Sequence, residues 1–160
     1  MTIRLACEQD IPDLLRLLYQ VGEVHHRIRP DLFRPGAVKY TEAELKQLLL
    51  DKNSPIFVLT EGDALLAYCF CQLRDHRGST VMTDRLELYI DDLCVEESCR
   101  GRGLARALYR GVCLWAKSIG CGFVTLNVWQ GNDNAQRFYE KMGMRPRSIT
   151  MEHPLEDTTC

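Results

Sequence analysis

The sequence predicts a single domain of the α+β class, with a mixed sheet carrying helices on its faces. Three observations point there. Strand-like runs occupy Pro55 to Thr60, Ala64 to Leu73, Leu86 to Val95 and Phe123 to Val128. Helical periodicity recurs around them, and 160 residues suffice to bury one core without staples.

The elements follow in chain order. Ile3 to Ala6 reads as a short strand, and Asp10 as the N-cap of a helix with Pro12 in its first turn. Ile11, Leu14, Leu15, Leu18 and Val21 hold amphipathic spacing in that helix, whereas Gly22 to Gly36 reads as a charged, aromatic loop. Thr41 and Glu44 form a capping box for a helix running to about Leu50. Glu61-Gly62-Asp63 signals a hairpin, and Asp75 to Thr83 a polar loop.

In the strand Leu86 to Val95, regular alternation puts Tyr89, Asp91, Leu93 and Val95 on one face, opposite Ile90, Asp92 and Cys94. A bulge would shift that phase. Leu104, Leu108, Val112, Trp115 and Ile119 then mark a helix that Gly120 ends. A helix from Asn132 or Asp133 stops at Gly143, and Met144 to Met151 supplies a last strand.

Charge and cysteine content narrow the function. Twenty Lys and Arg against 22 Asp and Glu leave a formal charge of -2, so no bulk field recruits nucleic acid or an anionic membrane. Eight scattered cysteines, without a CxxC pair or a secretory leader, read as free thiols of a cytoplasmic protein. Neither they nor His25-His26, which lack a third ligand, make a metal site.

The segment Arg100-Gly101-Arg102-Gly103-Leu104-Ala105 is either a solvated turn or an anion site. A helix beginning just after a strand presents unpaired amides and a positive dipole end, and two glycines let an anion approach the backbone. A P-loop would need Gly-Lys-Ser/Thr, and the dinucleotide fingerprint a small residue where Arg106 stands; both fail. What remains is Arg-x-x-Gly-x-Ala, followed by Asn132-x-x-Ala135-x-x-Phe138-Tyr139-x-x-x-Gly143-Met144. In these two signatures the chain resembles the GCN5-related N-acetyltransferase (GNAT) family.

The resemblance implies a mixed, mostly antiparallel sheet of six to seven strands flanked by about four helices, splayed at an acetyl-CoA site. It implies that the backbone of Leu93, Cys94 and Val95 pairs with the pantetheine arm, as in strand addition. The amides of Arg100, Gly101, Arg102, Gly103, Leu104 and Ala105 would hold the pyrophosphate. Asn132, with Asn134 behind it, would touch the cofactor arm, and Arg102, Arg106 and Arg110 either reach the 3'-phosphate or face water.

Acetyl-CoA as co-substrate, without a metal, implies direct transfer to an amine. At a pKa of about 10.4 only about one amine in a thousand is neutral at pH 7, so a proton acceptor is required. Asp91 is the base candidate, alone or through water; Glu87 is the fallback, and Asp92 points the other way in regular pleating. Tyr139 falls where the family's general-acid tyrosine stands, and an amide near Cys94 would meet the carbonyl oxygen's developing charge. Covalent catalysis by Cys94 or Cys99 is the competing mechanism.

For the acceptor, Ile90-Asp91-Asp92-Leu93-x-Val95 resembles the polyamine acetyltransferase branch, and Glu23, Asp31, Glu87, Asp91 and Asp92 favour a cationic small amine. The basic His25, His26, Arg27, Arg29 and Arg34 pull toward a carboxylate or phosphate bearing substrate. A small-molecule amine is the expected partner and a homodimer is compatible with it. Protein N-termini or lysines, a non-catalytic acyl-CoA sensor and an unrelated phosphate-binding module remain alternatives.

Overall fold

The computed structural model describes residues 1–155. The strands are β1 (Thr2–Leu5), β2 (Ile56–Glu61), β3 (Ala64–Asp75), β4 (Leu86–Val95) and β5 (Cys121–Leu126). The helices are α1 (Ile11–Ile28), α2 (Glu42–Leu50), α3 (Leu104–Ser118) and α4 (Asp133–Lys141), with 3-10 turns at Glu8–Asp10 and Glu97–Cys99. The sheet runs β1-β2-β3-β4-β5; its first three pairings are antiparallel and the last, between β4 and β5, is parallel. The chain divides into a unit of Met1–Trp129, which holds the whole sheet and α1 to α3, and a unit of Gln130–Cys160 with α4.

Each face of the sheet takes its helices by a simple apolar match. Leu14, Leu17 and Leu18 of α1 and Leu45 of α2 are fully buried in one cluster with Val58 and Tyr68. On the other face Leu104, Leu108 and Val112 of α3 are buried, and Trp115 meets Phe57 edge-on at 5.0 Å.

The sheet among the described residues has five strands rather than six to seven. Residues 144–151 form none, since Pro146 cannot donate to a ladder. Asp10 does not cap α1 with its side chain. Its carboxylate instead accepts from the Cys7 amide at 2.8 Å and from both Arg4 terminal nitrogens at 2.7 and 2.9 Å. These bonds hold its pKa below the ordinary carboxylate value, the Arg4 bond contributing most.

Helix α1 also runs six residues past Gly22, through a segment expected as loop. The glycine costs about 1 kcal/mol of helix propensity, but it admits a close neighbour. A Cβ there would lie 2.4 Å from the Ala37 carbonyl oxygen. The adjoining Glu23 carboxylate accepts from the Gly36 amide at 2.7 Å, and Thr41 and Glu44 close the expected capping box through bonds of 3.2 and 2.7 Å. Residues 36–41 are thereby held at both ends.

Gly22→Ala should lose stability by about 1 to 3 kcal/mol through this clash, despite alanine's better helix propensity. Urea denaturation measures it; a stabilised variant would show that the 36–41 segment yields freely.

Candidate active site

The strand β4 does not keep regular alternation. Phe70 faces Asp92 while Cys71 faces Ile90, so Asp91 is an extra residue, a β-bulge. Asp92 therefore shares a face with its partner Phe70, and Cys94 with Tyr68, on the α1 side of the sheet. Asp91 bonds Tyr40, whose ring stacks on Phe70 at 5.6 Å, so it turns the same way. The expected separation of Asp91 from Asp92, and of Asp91 together with Leu93 and Val95, is corrected by the bulge.

A cation meets this carboxylate pair. The Lys39 ammonium donates to Asp91 Oδ2 at 2.5 Å, and the Tyr40 hydroxyl donates to the same oxygen at 3.3 Å. Burial lowers the Lys39 pKa, but the hydrogen bond and charge of Asp91, with smaller help from Asp92, outweigh it and leave the pKa raised. Burial raises the Tyr40 hydroxyl. His25, on α1, is pushed down by burial and then by the Lys39 charge.

Asp92, like Asp91, is partly buried. Loss of water pushes its pKa to about 6, against the opposing hydrogen bond from the Tyr68 hydroxyl at 2.8 Å. Lys39, Tyr40 and Tyr68 were missed by sequence reasoning. Lys39 and Tyr40 adjoin a recognised capping box, but nothing in their spacing pairs them with residues fifty positions on. Tyr68 lies in a strand-like run in which nothing marks a polar partner 24 residues on.

The other candidates sort by what they already bond. Glu87 is buried and accepts from the Thr125 hydroxyl at 2.7 Å, with His76 Nε2 at 3.7 Å. Glu23 holds Gly36, and Asp31 pairs with Arg29 at 2.6 Å. Burial pushes the Cys94 thiol up to about 12, which keeps it protonated and argues against it as a nucleophile.

An open edge lies beside the acidic pair. The parallel pairing of β4 with β5 stops at Ile90 and Leu126, leaving residues 91–95 without a β5 partner. Glu96 donates to Leu66 of β3, so strand alternation turns the backbone of Cys94 to β3 and that of Leu93 and Val95 to the open edge. Cys94 therefore drops out of the expected backbone trio, and with it the expected oxyanion amide. Arg100 Nε donates to the Val95 carbonyl at 3.3 Å.

Beyond this edge the chain enters α3 through Gly103, which is left-handed at φ 78°. Gly101 has φ 81°, a conformation that L side chains rarely adopt. A Cβ at either glycine would meet nothing within 4 Å, and no side chain caps the helix. Helix-start amides without a side-chain cap, preceded by glycines whose Cβ positions are open, fit a pyrophosphate. Arg102 is committed to both Glu61 oxygens at 3.0 Å.

In the Gln130–Cys160 unit, the Asn132 side chain accepts from the Ala135 amide at 3.2 Å, capping α4. Asn134 accepts from Arg137 at 2.9 Å, and the Tyr139 ring lies edge-on to Phe138 at 5.0 Å.

Comparison with known proteins decides the family. Residues 19–144 match the acetyltransferase (GNAT) family. The chain belongs to the GNAT family. It is accordingly an acyltransferase of that type, whose family co-substrate is acetyl-CoA. It is 31% identical to the uncharacterized N-acetyltransferase YhdJ of Bacillus subtilis over 103 residues, 62% of this chain and 68% of that protein. Over 63 residues it is 39% identical to a glucosamine 6-phosphate N-acetyltransferase of Trypanosoma brucei brucei, covering 39% of this chain and 41% of that one. A crystal structure of a mutant BH1408 protein from Bacillus halodurans superposes with a TM-score of 0.91 at 33% identity, over 97% of this chain and 99% of the other. Among the described residues of this GNAT chain no group of three or more His, Cys, Asp or Glu could hold a metal. No described helix is long and apolar enough to cross a membrane.

The enclosed carboxyl sets a pH dependence of stability. Its folded pKa of about 6 lies above the ordinary 3.8, so its contribution is full below pH 3.8 and is lost as pH rises through 6. Asp92→Asn should therefore be more stable than the parent at pH 8, by about 3 kcal/mol, and nearly equal to it at pH 4. Thermal melts at the two values test this; an equal difference at both would remove the raised carboxyl.

Proposed function

We propose that this chain transfers the acetyl group of acetyl-CoA to a primary amine on a cationic small molecule, acting as one N-acetyltransferase domain over residues 1–160. The observation that carries the proposal is the Asp91-Asp92 pair turned to one face with an ammonium already bonded to it. A carboxylate pair that holds the Lys39 ammonium can hold a substrate's, and a carboxyl with a pKa of about 6 accepts a proton near neutral pH. Asp91 is assigned to the acceptor ammonium and Asp92, directly or through water, shares the base role first given to Asp91. Glu87, bonded to Thr125, recedes to a reserve.

Acetyl-CoA, when bound, supplies the acetyl thioester and a thiolate leaving group. The amides from Gly101 to Ala105 would hold its pyrophosphate, the Arg100 amide being given to the Glu97 carbonyl at 3.3 Å; the open edge at Leu93 and Val95 would hold its arm, and Asn132 would assist. Tyr139 would protonate the leaving sulfur, a role supported by the signature it completes. The two acidic residues in sequence favour a polyamine-like cation, and the sugar amine named for the trypanosomal relative favours a small acceptor in general. Seven free cysteines among the described residues support a cytoplasmic setting.

The deciding measurement is acetyl-CoA dependent thiol release across polyamines, amino acids, aminoglycosides and short peptides. A small polycation should be turned over best; turnover of peptides alone would remove the small-molecule reading. Acetyl-CoA should raise the melting temperature of the parent, and Gly103→Glu should abolish that rise by placing bulk and negative charge at the anion turn. Tyr139→Phe should keep the rise but lose turnover by about a hundredfold; full activity would exclude the acid role.

A further inference from the structure

Lys39 is placed unlike any other described lysine. Its Nζ hydrogen-bonds Asp91, on the carboxylate pair assigned above to the acceptor amine, and its side chain still keeps 44% of its surface accessible. The segment that carries it is held by Glu23 at Gly36, by the close approach of Ala37 to Gly22, and by the capping box at Thr41. Lys46, by contrast, pairs only with Glu42 one turn away on the exposed face of α2.

The geometry points to Lys39 as a modification site: the chain acetylates its own Lys39 Nζ, using the bound acetyl thioester, with Lys39 standing where an external primary amine would stand. This rests on the acceptor assignment of Asp91 and Asp92. The step balances without oxidant or reductant. The Lys39 ammonium gives a proton to the carboxylate pair; its nitrogen bonds the thioester carbonyl carbon while the carbon-sulfur bond breaks, and the departing thiolate takes up a proton. The product is a neutral amide, which cannot keep the ion pair with Asp91. Modification thus removes the internal cation from the acidic pair and leaves both carboxylates to an external one.

Three features favour self-transfer over a purely structural ion pair. The amine is already on the acidic pair, so no second molecule has to be captured. The Tyr40 hydroxyl shares the same Asp91 oxygen, so the carboxylate keeps a donor when the ammonium leaves. The lysine is half-exposed, so its end is not locked by packing.

The test incubates the full chain with acetyl-CoA and no acceptor, and follows each lysine by peptide mass spectrometry. Lys39 should be acetylated at least about tenfold faster than Lys46, the pace of unassisted acetylation, because proximity replaces a bimolecular encounter. Its rate per molecule should not change on dilution. Asp91→Asn should bring Lys39 down to the Lys46 rate, and Lys39→Arg, which keeps the positive charge, should abolish the fast mass gain. Lys39 modified no faster than Lys46 in the parent overturns the inference. Thiol release with a small amine in that same preparation would then leave the proposed function standing, whereas its absence would take both. A rate that falls with dilution overturns transfer within one molecule.

Discussion

The β-bulge at Asp91 governs what this molecule can do, because one extra residue in β4 changes which groups meet. Without it, Asp91 would sit beside Leu93 and Val95 on the α3 face, against apolar side chains, with Asp92 alone opposite. With it, two adjacent carboxylates share a side of the sheet. Two like charges so near each other in an enclosed place would each resist ionisation. The structure answers in two ways: Asp91 takes a lysine ammonium, while Asp92 takes a tyrosine hydroxyl and a pKa raised by burial. The division gives a cation-holding carboxylate next to one that titrates near neutrality.

The bulge depends in turn on what surrounds it. Residues 36–41 reach Asp91 because α1 extends beyond Gly22, and a side chain at that position would collide with Ala37. On its other side β4 ends its partnership with β5 at Ile90, one residue before the bulge. The same short stretch therefore ends one ladder, reorients two carboxylates and leaves the main chain of Leu93 and Val95 facing outward. The glycine turn into α3 follows within ten residues, so the candidate donor and acceptor sites lie at the two ends of one strand end.

Much of this was legible in the sequence where the signal was local. Thr41 with Glu44, the helix start at Asn132 or Asp133, the glycines before α3 and the strand-like runs of β2 and β3 all act through neighbours a few residues away. The family resemblance rested on the same kind of local pattern, and the comparisons agree with it. What could not be read was long-range pairing. The phase of Asp91 depends on the register of β3 across from it, and Lys39 and Tyr68 enter the site from 52 and 24 positions away. The extra strand at 144–151 was overread from scattered apolar residues around Pro146, whose missing amide hydrogen outweighs them.

The relation between Asp92 and the glycine turn bears on how such a site tolerates its own strain. Burying a carboxyl that must ionise to act lowers stability at neutral pH, and a polar pair replaced by neutral groups would fold more firmly. Such a penalty persists where function requires the group, and the Tyr68 bond offsets only part of it. The anion turn shows the same logic in the backbone: glycine adopts the positive φ at Gly101 and Gly103 without strain, but the helix start that follows has no side-chain cap for its first amides, which is unfavourable in the free chain. Both costs would be relieved by the ligands proposed above, an ammonium at the first and an anion at the second, so under that proposal the two ends of this strand gain most from the two halves of an acyl-transfer reaction.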